Sequence, residues 1–244
     1  MELEGRVALV TGGAKRIGRA IALALAARGA HVAITYRSTR REAQDTVLEL
    51  RRHSVQALAL KADMQDSRHI RRLVEATYRQ FGRLDILVNS ASIFERTPYA
   101  HLTQAEWDYH LATNLTAPFL CALHASRLMQ RHGGGKIINI TDWAGERPYR
   151  DYLPYCISKA GLTALTKALA RELAPAIQTM SIAPGPILPP PDMTAAERRR
   201  TVKRLPLKRW GSPRDVASAV VFAIEGNDFM TGTTIYVDGG RSIA

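Results

Sequence analysis

Residues 5–18 read Gly-Arg-Val-Ala-Leu-Val-Thr-Gly-Gly-Ala-Lys-Arg-Ile-Gly, an apolar run followed by a glycine-rich turn. The apolar run predicts a short buried strand, and the helical spacing of Ile17, Ile21 and Leu25 predicts that a helix begins directly after the turn. Glycines let the backbone approach a phosphate closely, and the free N–H groups at a helix start face its charge. The stretch therefore predicts a phosphate site.

Strands and helices alternate along the rest of the chain. Further strands are predicted at 31–36, 55–60, 84–91, 133–141, 178–187 and 233–240, and helices at 40–53, 66–81, 104–131, 155–174 and 213–225. This alternation predicts a parallel sheet with right-handed crossovers. We therefore predict an α/β fold, a Rossmann-like doubly wound parallel sheet with helices on both faces, as one domain over residues 1–244. The proline-containing and basic segment 186–210 is predicted to be a mobile flap over the substrate.

Composition and charge exclude several classes of protein. The 244 residues are 46% apolar and carry a net charge of +12, but the basic residues are spread over several helices and loops without a helix-turn-helix pattern, which makes nucleic acid an unlikely partner. No apolar run is long enough for a membrane span, so a soluble cytoplasmic protein is expected. The histidines are scattered, and Cys121 and Cys156 lack ligand spacing. We therefore predict no metal site and two buried free thiols.

The end of the second predicted strand indicates which nucleotide is bound. An NAD site places an acid there, which accepts a hydrogen bond from the ribose 2′-hydroxyl. This chain has Arg37 and Ser38 instead, and both can donate to a 2′-phosphate, with Lys15 nearby on the first turn. NADPH is therefore the predicted cofactor. The alternative is that Arg37 is only a solvated loop cation.

A second informative stretch is TDWAGERPYRDYLPYCISK, residues 141–159. A helix there places Tyr155 and Lys159 one turn apart. A neighbouring ammonium is expected to lower the tyrosine pKa from about 10 toward neutrality, where the hydroxyl can give or take a proton. Asp142 follows a predicted strand, at the sheet edge where α/β proteins bind ligands. Alternatively, Asp142 caps a helical turn.

The long helix predicted over 104–131 carries an apolar stripe and an internal proline. The stripe is predicted to pack in the core, and its members are Trp107, Leu111, Leu115, Phe119 and Leu123. Pro118 has no N–H, so the carbonyl of Asn114 loses its helical partner. We expect a kink at Asn114, with an ordered water on the freed carbonyl that reaches toward Lys159.

Taken in order, these motifs resemble the classical short-chain dehydrogenase/reductase family across nearly the whole chain. The matching positions are Thr11-Gly12, Gly18, Asp63, Asn89, Asn114, Tyr155, Lys159, Pro184-Gly185 and Asp238-Gly239-Gly240. The resemblance implies a homotetramer, with Tyr155 as proton donor, Lys159 on the nicotinamide ribose and Asn114 on a proton-relay water. From the residues and the resemblance together, the predicted cofactor contacts are Thr11, Gly12, Lys15, Arg16, Ile17, Gly18, Arg37, Ser38, Asp63, Met64, Asn89, Ser90, Ala91, Ser92, Tyr155, Lys159, Pro184 and Gly185.

Asp142 departs from the family pattern in a way that narrows the function. Most members have a serine thirteen residues before the tyrosine, and a serine hydroxyl can donate to a carbonyl oxygen. An ionised aspartate can only accept, and beside a developing oxyanion it repels the transition state. The substrate should therefore bring N–H donors or need protonation at a ring nitrogen. A pterin meets both conditions.

The sequence also resembles the pteridine reductase branch of the family, which includes dihydromonapterin reductase. The resemblance lies in TGGAKRIG, in Tyr36-Arg37-Ser38, in Asp142-x12-Tyr155-x3-Lys159 and in Phe94. It implies that Arg16 contacts the cofactor phosphate and the pterin, that Phe94 stacks on the pterin, and that Asp142 assists Tyr155. Arg16, Phe94, Asp142 and Tyr155 are thus the predicted substrate contacts, although Phe94 can also be a core side chain.

The predicted function is NADPH-dependent reduction of a dihydropterin or a related pteridine, with hydride added to a ring carbon and a proton to a ring nitrogen. One alternative is a carbonyl reductase such as a 3-oxoacyl carrier-protein reductase, whose acidic carrier protein would suit the basic charge. A remote alternative is a catalytically idle NADPH-binding regulator.

Overall fold

The computed structural model describes residues 1–190 and 193–244, which contain seven parallel strands in one sheet of order β3-β2-β1-β4-β5-β6-β7. The strands are β1 (Val7–Val10), β2 (His31–Tyr36), β3 (Ala57–Lys61), β4 (Ile86–Asn89), β5 (Gly135–Ile140), β6 (Ile177–Pro184) and β7 (Thr234–Val237). The helices are α1 (Arg16–Ala26), α2 (Arg40–Arg51), α3 (Ser67–Phe81), α4 (Gln104–Leu111), α5 (Ala117–Met129), α6 (Leu153–Leu173), α7 (Ala195–Lys203) and α8 (Pro213–Glu225). The predicted fold class is confirmed.

Strand β1 lies inside the sheet, between β2 and β4. Its Val10 is in register with Ile34 of β2 on one side and with Val88 of β4 on the other. The chain order reverses between β1 and β4, and such a switch point opens a crevice at the carboxyl ends of the strands. The crevice positions the candidate site.

Buried apolar side chains form a core on each face of the sheet. One core joins α1, α2 and α8 to the strands, with Ile21, Leu50 and Val220 fully buried. The other joins α3 and α5 to the strands, with Val74 and Cys121 fully buried. Cys121 and Cys156 are both free and buried, as predicted. In the described part of the chain, no helix combines the length and the apolarity needed to cross a bilayer.

The apolar stripe of the predicted 104–131 helix is not core, and that prediction was wrong. Its five side chains belong to neither buried cluster, and Phe119 is 41% exposed. The face of α5 that packs on the sheet consists of Ala117, Cys121, Ala125 and Met129, which lie half a turn away. Four-residue spacing shows that a helix has an apolar face, but it does not show which face packs on the sheet. Here the face with smaller residues packs on the sheet, because small side chains let the helix approach it more closely.

The same helix is interrupted where the sequence predicts a kink. A π-helical turn, Ala112–Thr116, separates α4 from α5. Such a turn is a recognised response to a break in the hydrogen-bond ladder, here before Pro118. The π-turn buries Asn114 completely. An ordered water on its carbonyl stays a prediction.

The predicted flap, 186–210, contains regular structure and fixed points. Helix α7 occupies its centre and begins with a capping box, in which the Thr194 and Glu197 side chains bond to each other's backbone N–H groups. Ile187 and Leu205 are buried. The segment is therefore anchored on both sides of α7, and its mobility stays a prediction.

Candidate active site

A cavity of about 1000 Å³ lies at the carboxyl ends of the strands, at the upper limit for small-molecule sites. Most of the predicted site residues line it. They are Gly12, Lys15, Arg16, Ile17, Gly18, Arg37, Ser38, Asp63, Met64, Ser90, Ala91, Ser92, Phe94, Asp142, Tyr155, Lys159, Pro184 and Gly185. The structure therefore gathers residues from six separated segments around one space.

Thr11 and Asn89 do not line the cavity, although both were predicted to contact the cofactor. The Thr11 hydroxyl oxygen accepts hydrogen bonds from the N–H groups of Ser90 and Ala91, each at 3.0 Å. The amide of Asn89 donates to Oδ1 of Asn139 at 2.9 Å. Both residues act behind the wall. Thr11 holds the loop after β4 against the glycine turn, and Asn89 joins the end of β4 to β5.

Asn114 is also behind the wall, where its side chain makes structural bonds that the sequence did not predict. Its Oδ1 accepts from the Ile93 N–H at 2.9 Å, and its Nδ2 donates to the Ile93 carbonyl at 3.1 Å. The same Nδ2 donates to Oγ of Ser158 at 3.1 Å. Asn114 therefore ties the loop carrying Ser92 and Phe94 to helix α6, which carries the tyrosine.

The first turn keeps the geometry of a glycine turn despite its arginine. Arg16 has φ of 55°, in the left-handed region that costs a non-glycine residue about 1–2 kcal/mol. Such strain is concentrated at functional sites. A Cβ on Gly18 would lie 2.4 Å from the carbonyl oxygen of Gly12, so a side chain there cannot be accommodated without movement. Gly18 is required where the helix passes over the turn.

The surroundings of this turn fit an anionic dinucleotide. The N-cap residue of α1, Lys15, makes no side-chain capping bond, and the first turn contains no acidic residue. The free N–H groups and the positive dipole end of α1 therefore face the cavity, and no acidic side chain competes for them. At the end of β2 the guanidinium of Arg37 donates to the hydroxyl of Tyr109 at 2.6 Å. This bond holds Arg37 at the cavity edge, where a 2′-phosphate can accept from it.

The reactive part of the cavity centres on Asp142 and Tyr155. The phenolic hydroxyl of Tyr155 donates to Oδ2 of Asp142 at 2.7 Å. The other carboxylate oxygen, Oδ1, accepts from the Ala144 N–H at 2.8 Å and caps a short 3₁₀ turn. Both interpretations of Asp142 therefore apply, because one oxygen caps the turn and the other faces the tyrosine.

The pKa of Tyr155 moves opposite to the prediction. Burial raises it well above its ordinary value, and the neighbouring Asp142 raises it further. Burial also raises the pKa of Asp142 and lowers that of Lys159 to about 8. The Lys159 ammonium donates to the Ile140 carbonyl at 2.8 Å rather than to the phenol. All three shifts disfavour charge, so Tyr155 stays protonated, which suits a proton donor.

Aromatic rings cover one side of this pair. Phe94 is 44% exposed, stacks on Tyr152 with centroids 4.5 Å apart, and meets Tyr155 edge-on at 4.7 Å. It is therefore a cavity side chain rather than a core one. Tyr149 completes the wall and accepts a hydrogen bond from the indole of Trp143 at 2.5 Å. A flat ring can enter between such surfaces.

Sequence reasoning missed several side chains of this wall. They include Trp143, Tyr149, Tyr152, Arg241 and, from the flap, Trp210. The aromatic content of 141–159 was a usable signal for the first three. The residues around Arg241 in the sequence gave no indication that it belongs to the site. The turn Asp238-Gly239-Gly240 brings it next to Trp143, which is distant in sequence, and its guanidinium lies 4.9 Å from the indole centroid.

Comparison with known proteins agrees with this architecture. The family model described as enoyl-(acyl carrier protein) reductase matches residues 12–242. The 3-oxoacyl-[acyl-carrier-protein] reductase FabG of Staphylococcus aureus is 36% identical over 239 residues, covering 96% of each chain. A short chain dehydrogenase from Burkholderia cenocepacia, solved in complex with NADP, has a TM-score of 0.93 at 35% identity, covering 100% of each chain.

A blue fluorescent protein from a metagenomic library, solved in complex with NADPH, has a TM-score of 0.91 at 35% identity, and 99% of each chain is covered. These likenesses extend over the whole site and not only over the nucleotide turn. The chain therefore belongs to the classical short-chain dehydrogenase/reductase family.

Proposed function

We propose that the protein is an NADPH-dependent reductase of a dihydropterin or a related pteridine. The observation that carries the proposal is the carboxyl group of Asp142 in hydrogen-bond contact with the Tyr155 hydroxyl. This position faces the reacting part of the substrate, and a carboxyl oxygen there can accept a hydrogen bond from a substrate edge that carries N–H groups. The amino-pyrimidine edge of a pterin offers such donors.

The cofactor assignment has independent support. Arg37 and Ser38 occupy the position where an NAD site has an acid, and no acidic residue lies in the first turn of α1. The Burkholderia cenocepacia dehydrogenase and the metagenomic blue fluorescent protein were solved with NADP and NADPH. When bound, NADPH supplies the hydride for the reduction.

The chain's own residues supply the proton and the orientation. Tyr155, held protonated by its buried setting, delivers its proton to the ring nitrogen as the adjacent carbon of the C=N bond receives hydride. The product carries one new C–H and one new N–H bond. The phenolate left on Tyr155 takes up a proton from solvent, and the restored hydroxyl again donates to Asp142 at 2.7 Å. Phe94 provides a flat apolar surface for the ring.

The second candidate is reduction of a 3-oxoacyl thioester, and two observations favour it. The Staphylococcus aureus relative is named a 3-oxoacyl-[acyl-carrier-protein] reductase, and its name does not mention a pterin. In addition, burial raises the pKa of Asp142. A protonated carboxyl can donate a hydrogen bond to a carbonyl oxygen, as a serine does.

A substrate panel distinguishes the two candidates. Purified protein and NADPH are offered dihydrobiopterin, dihydromonapterin, dihydrofolate and an acetoacetyl thioester, and NADPH oxidation is followed by absorbance. We expect fast turnover of the pterins and little of the thioester. Turnover of the thioester alone would contradict the proposal and assign the second candidate. Failure to oxidise NADPH with any of them would favour a non-catalytic role.

We also propose that the apolar stripe on α4 and α5, in which Phe119 is exposed and the other four side chains are half-buried, is a subunit interface, as a homotetramer requires. On α6 the apolar side chains Leu153 and Ile157 are exposed as well. Burial of such a patch between copies is the usual reason for its presence on a surface. Replacing Phe119 with Glu should lower the mass measured by sedimentation. The control is Leu48→Glu, at an exposed position of α2, which should leave the mass unchanged. An unchanged mass for both would contradict this interface.

A further inference from the structure

A second cavity adjoins the first at its outer end. It has a volume of about 480 Å³ and shares Arg204 and Arg241 with the main cavity. Its lining consists of Lys203, Arg204, Pro206, Lys208, Arg241 and Ala244. The two cavities are therefore neighbours, and the second has no assigned role in the reduction.

The second cavity is strongly basic. Four of its six residues are cationic, and no acidic side chain lines it. Over residues 1–190 and 193–244, none of these four cations forms an ion pair with an acidic side chain, whereas Arg209, next in sequence to Lys208, pairs with Asp215. Arg241 donates to the main-chain oxygen of Ala244 at 3.5 Å, and no acidic side chain lies among the four cations. Cations grouped in this way repel one another, and a bound anion relieves that repulsion.

The frame around these cations is rigid. A Cβ on Gly240 would lie 2.6 Å from the ring of Pro206, so the DGG turn and the end of the flap are in close contact. The Leu207 N–H donates to the Gly239 carbonyl at 3.2 Å, and Leu205 is buried. Lys208 has φ of 51°, in the left-handed region, and its ammonium donates to the Lys203 carbonyl at 2.8 Å. The contacts hold the cations as a preformed group.

A path connects this group to the reactive pair. Arg241 lies over the indole of Trp143, and Trp143 directly follows Asp142 in the chain. A substrate whose ring lies against Phe94 and Asp142 can therefore extend past Trp143 toward Arg241, which lines both cavities.

We propose that Lys203, Arg204, Lys208 and Arg241 form an anion subsite that binds an oxyanion, phosphate or carboxylate, at the far end of the substrate. The proposal rests on the proposed function, because it describes an extension of the same site. It adds a requirement that neither candidate reaction contains, namely that the preferred substrate is charged at the end away from the reacting ring or ketone.

The test compares charged and uncharged substrates of the same reactive group. For pterins, dihydrofolate carries carboxylates and dihydroneopterin triphosphate carries phosphates, while dihydrobiopterin carries neither. For thioesters, acetoacetyl-CoA carries phosphates and acetoacetyl-N-acetylcysteamine does not. The variant is K203Q/R204Q. The matched control is Arg199→Gln, which removes one cation of α7 that lines neither cavity.

We expect the ratio of kcat/KM for a charged substrate to that for its uncharged partner to fall about tenfold or more in K203Q/R204Q, because the variant loses two cations that can donate charge-assisted hydrogen bonds to the anion. The ratio should stay within about twofold of wild type in Arg199→Gln, as for a surface change. An unchanged ratio in the double variant, or an equal loss with both partners, would overturn the subsite. The carboxylate and phosphate arms show which oxyanion is preferred.

The thioester pair separates failure of the subsite from failure of the proposed function. If every pterin is inactive and the thioesters react, the pteridine proposal fails, and the thioester ratio alone decides the subsite.

A binding measurement tests the subsite without turnover. Inorganic pyrophosphate is titrated calorimetrically into protein saturated with NADPH, which occupies the nucleotide phosphate site. The double variant should bind it about tenfold more weakly. Equal binding by wild type and variant, or none by wild type, would also overturn the subsite.

Discussion

The two halves of the cavity are built in different ways. The cofactor half consists mainly of backbone, because the turn at 12–18 and the N-terminus of α1 present N–H groups and tightly packed glycines. The substrate half consists of side chains from the loops after β4 and β5, from α6 and from the C-terminal turn. Many of those side chains come from the single stretch 141–159, and the others come from distant parts of the chain.

This difference separates what the fold supplies from what the individual protein supplies. A strand-turn-helix unit binds a phosphate wherever the glycines fit, so it is common to many enzymes of this architecture. The substrate half has a carboxyl group at Asp142 where most members of the family have a serine. Specificity should therefore respond to changes in the substrate half, and cofactor affinity to changes in the cofactor half.

The largest expected effect comes from Tyr155→Phe. Removing the hydroxyl removes the proton donor and should lower kcat by about 10³-fold, within the range for general acids. The cofactor half is untouched, so the Kd for NADPH should stay within about twofold, as for a distant change. Single-turnover kinetics and fluorescence titration measure the two quantities. A variant that keeps more than about a tenth of the activity would show that another group supplies the proton.

The next effect tests Asp142 directly. Asp142→Ser should lower pterin turnover about 10- to 100-fold, because the acceptor beside Tyr155 is lost, and should raise thioester turnover. Asp142→Asn is the matched control, since it keeps the shape and can still cap the turn through its oxygen. Steady-state kinetics with both substrates provides the measurement. Undiminished pterin turnover in Asp142→Ser would mean that the carboxyl group is not needed.

A change in the cofactor half should give the reverse pattern. Arg37→Gln removes a charged donor to the 2′-phosphate and should raise the Kd for NADPH about tenfold, with less than a twofold effect on NADH. Arg40→Gln, a cation at the start of α2, is the control. Equal weakening of both nucleotides would show that Arg37 does not distinguish them.

The smallest effect is a pH dependence. The pKa of Lys159 falls from its ordinary 10.5 to about 8, so the side chain is charged below about pH 8 and neutral above it. If the reaction uses the ammonium, kcat/KM should fall as pH rises through about 8, because this parameter reports the free enzyme. The residual activity of Lys159→Arg should lack that fall, since a guanidinium stays charged. A wild-type profile that is flat above pH 8 would contradict the role.

Periodicity and local turns predicted the order of the elements well. Helix α6 begins at Leu153, two residues before the predicted start, with Pro154 in its first turn, and it ends before Pro175 as predicted. Which face of a helix packs against the sheet was harder to predict from the sequence. The stripe containing Phe119 was assigned to the core because a pattern along one helix shows that an apolar face exists. Only the sheet surface decides which face packs against it.

The sequence by itself determined the chemical inventory of this protein, since a glycine turn, a basic nucleotide edge and the trio of Asp142, Tyr155 and Lys159 are local patterns with local physics. Only the tertiary structure decided how the inventory works. It placed the Tyr155 hydroxyl 2.7 Å from Asp142, directed the Lys159 ammonium to a carbonyl, and raised the tyrosine pKa that proximity alone predicted to fall. Desolvation is the reason, because burial depends on every element packed around a group and cannot be deduced from residue spacing.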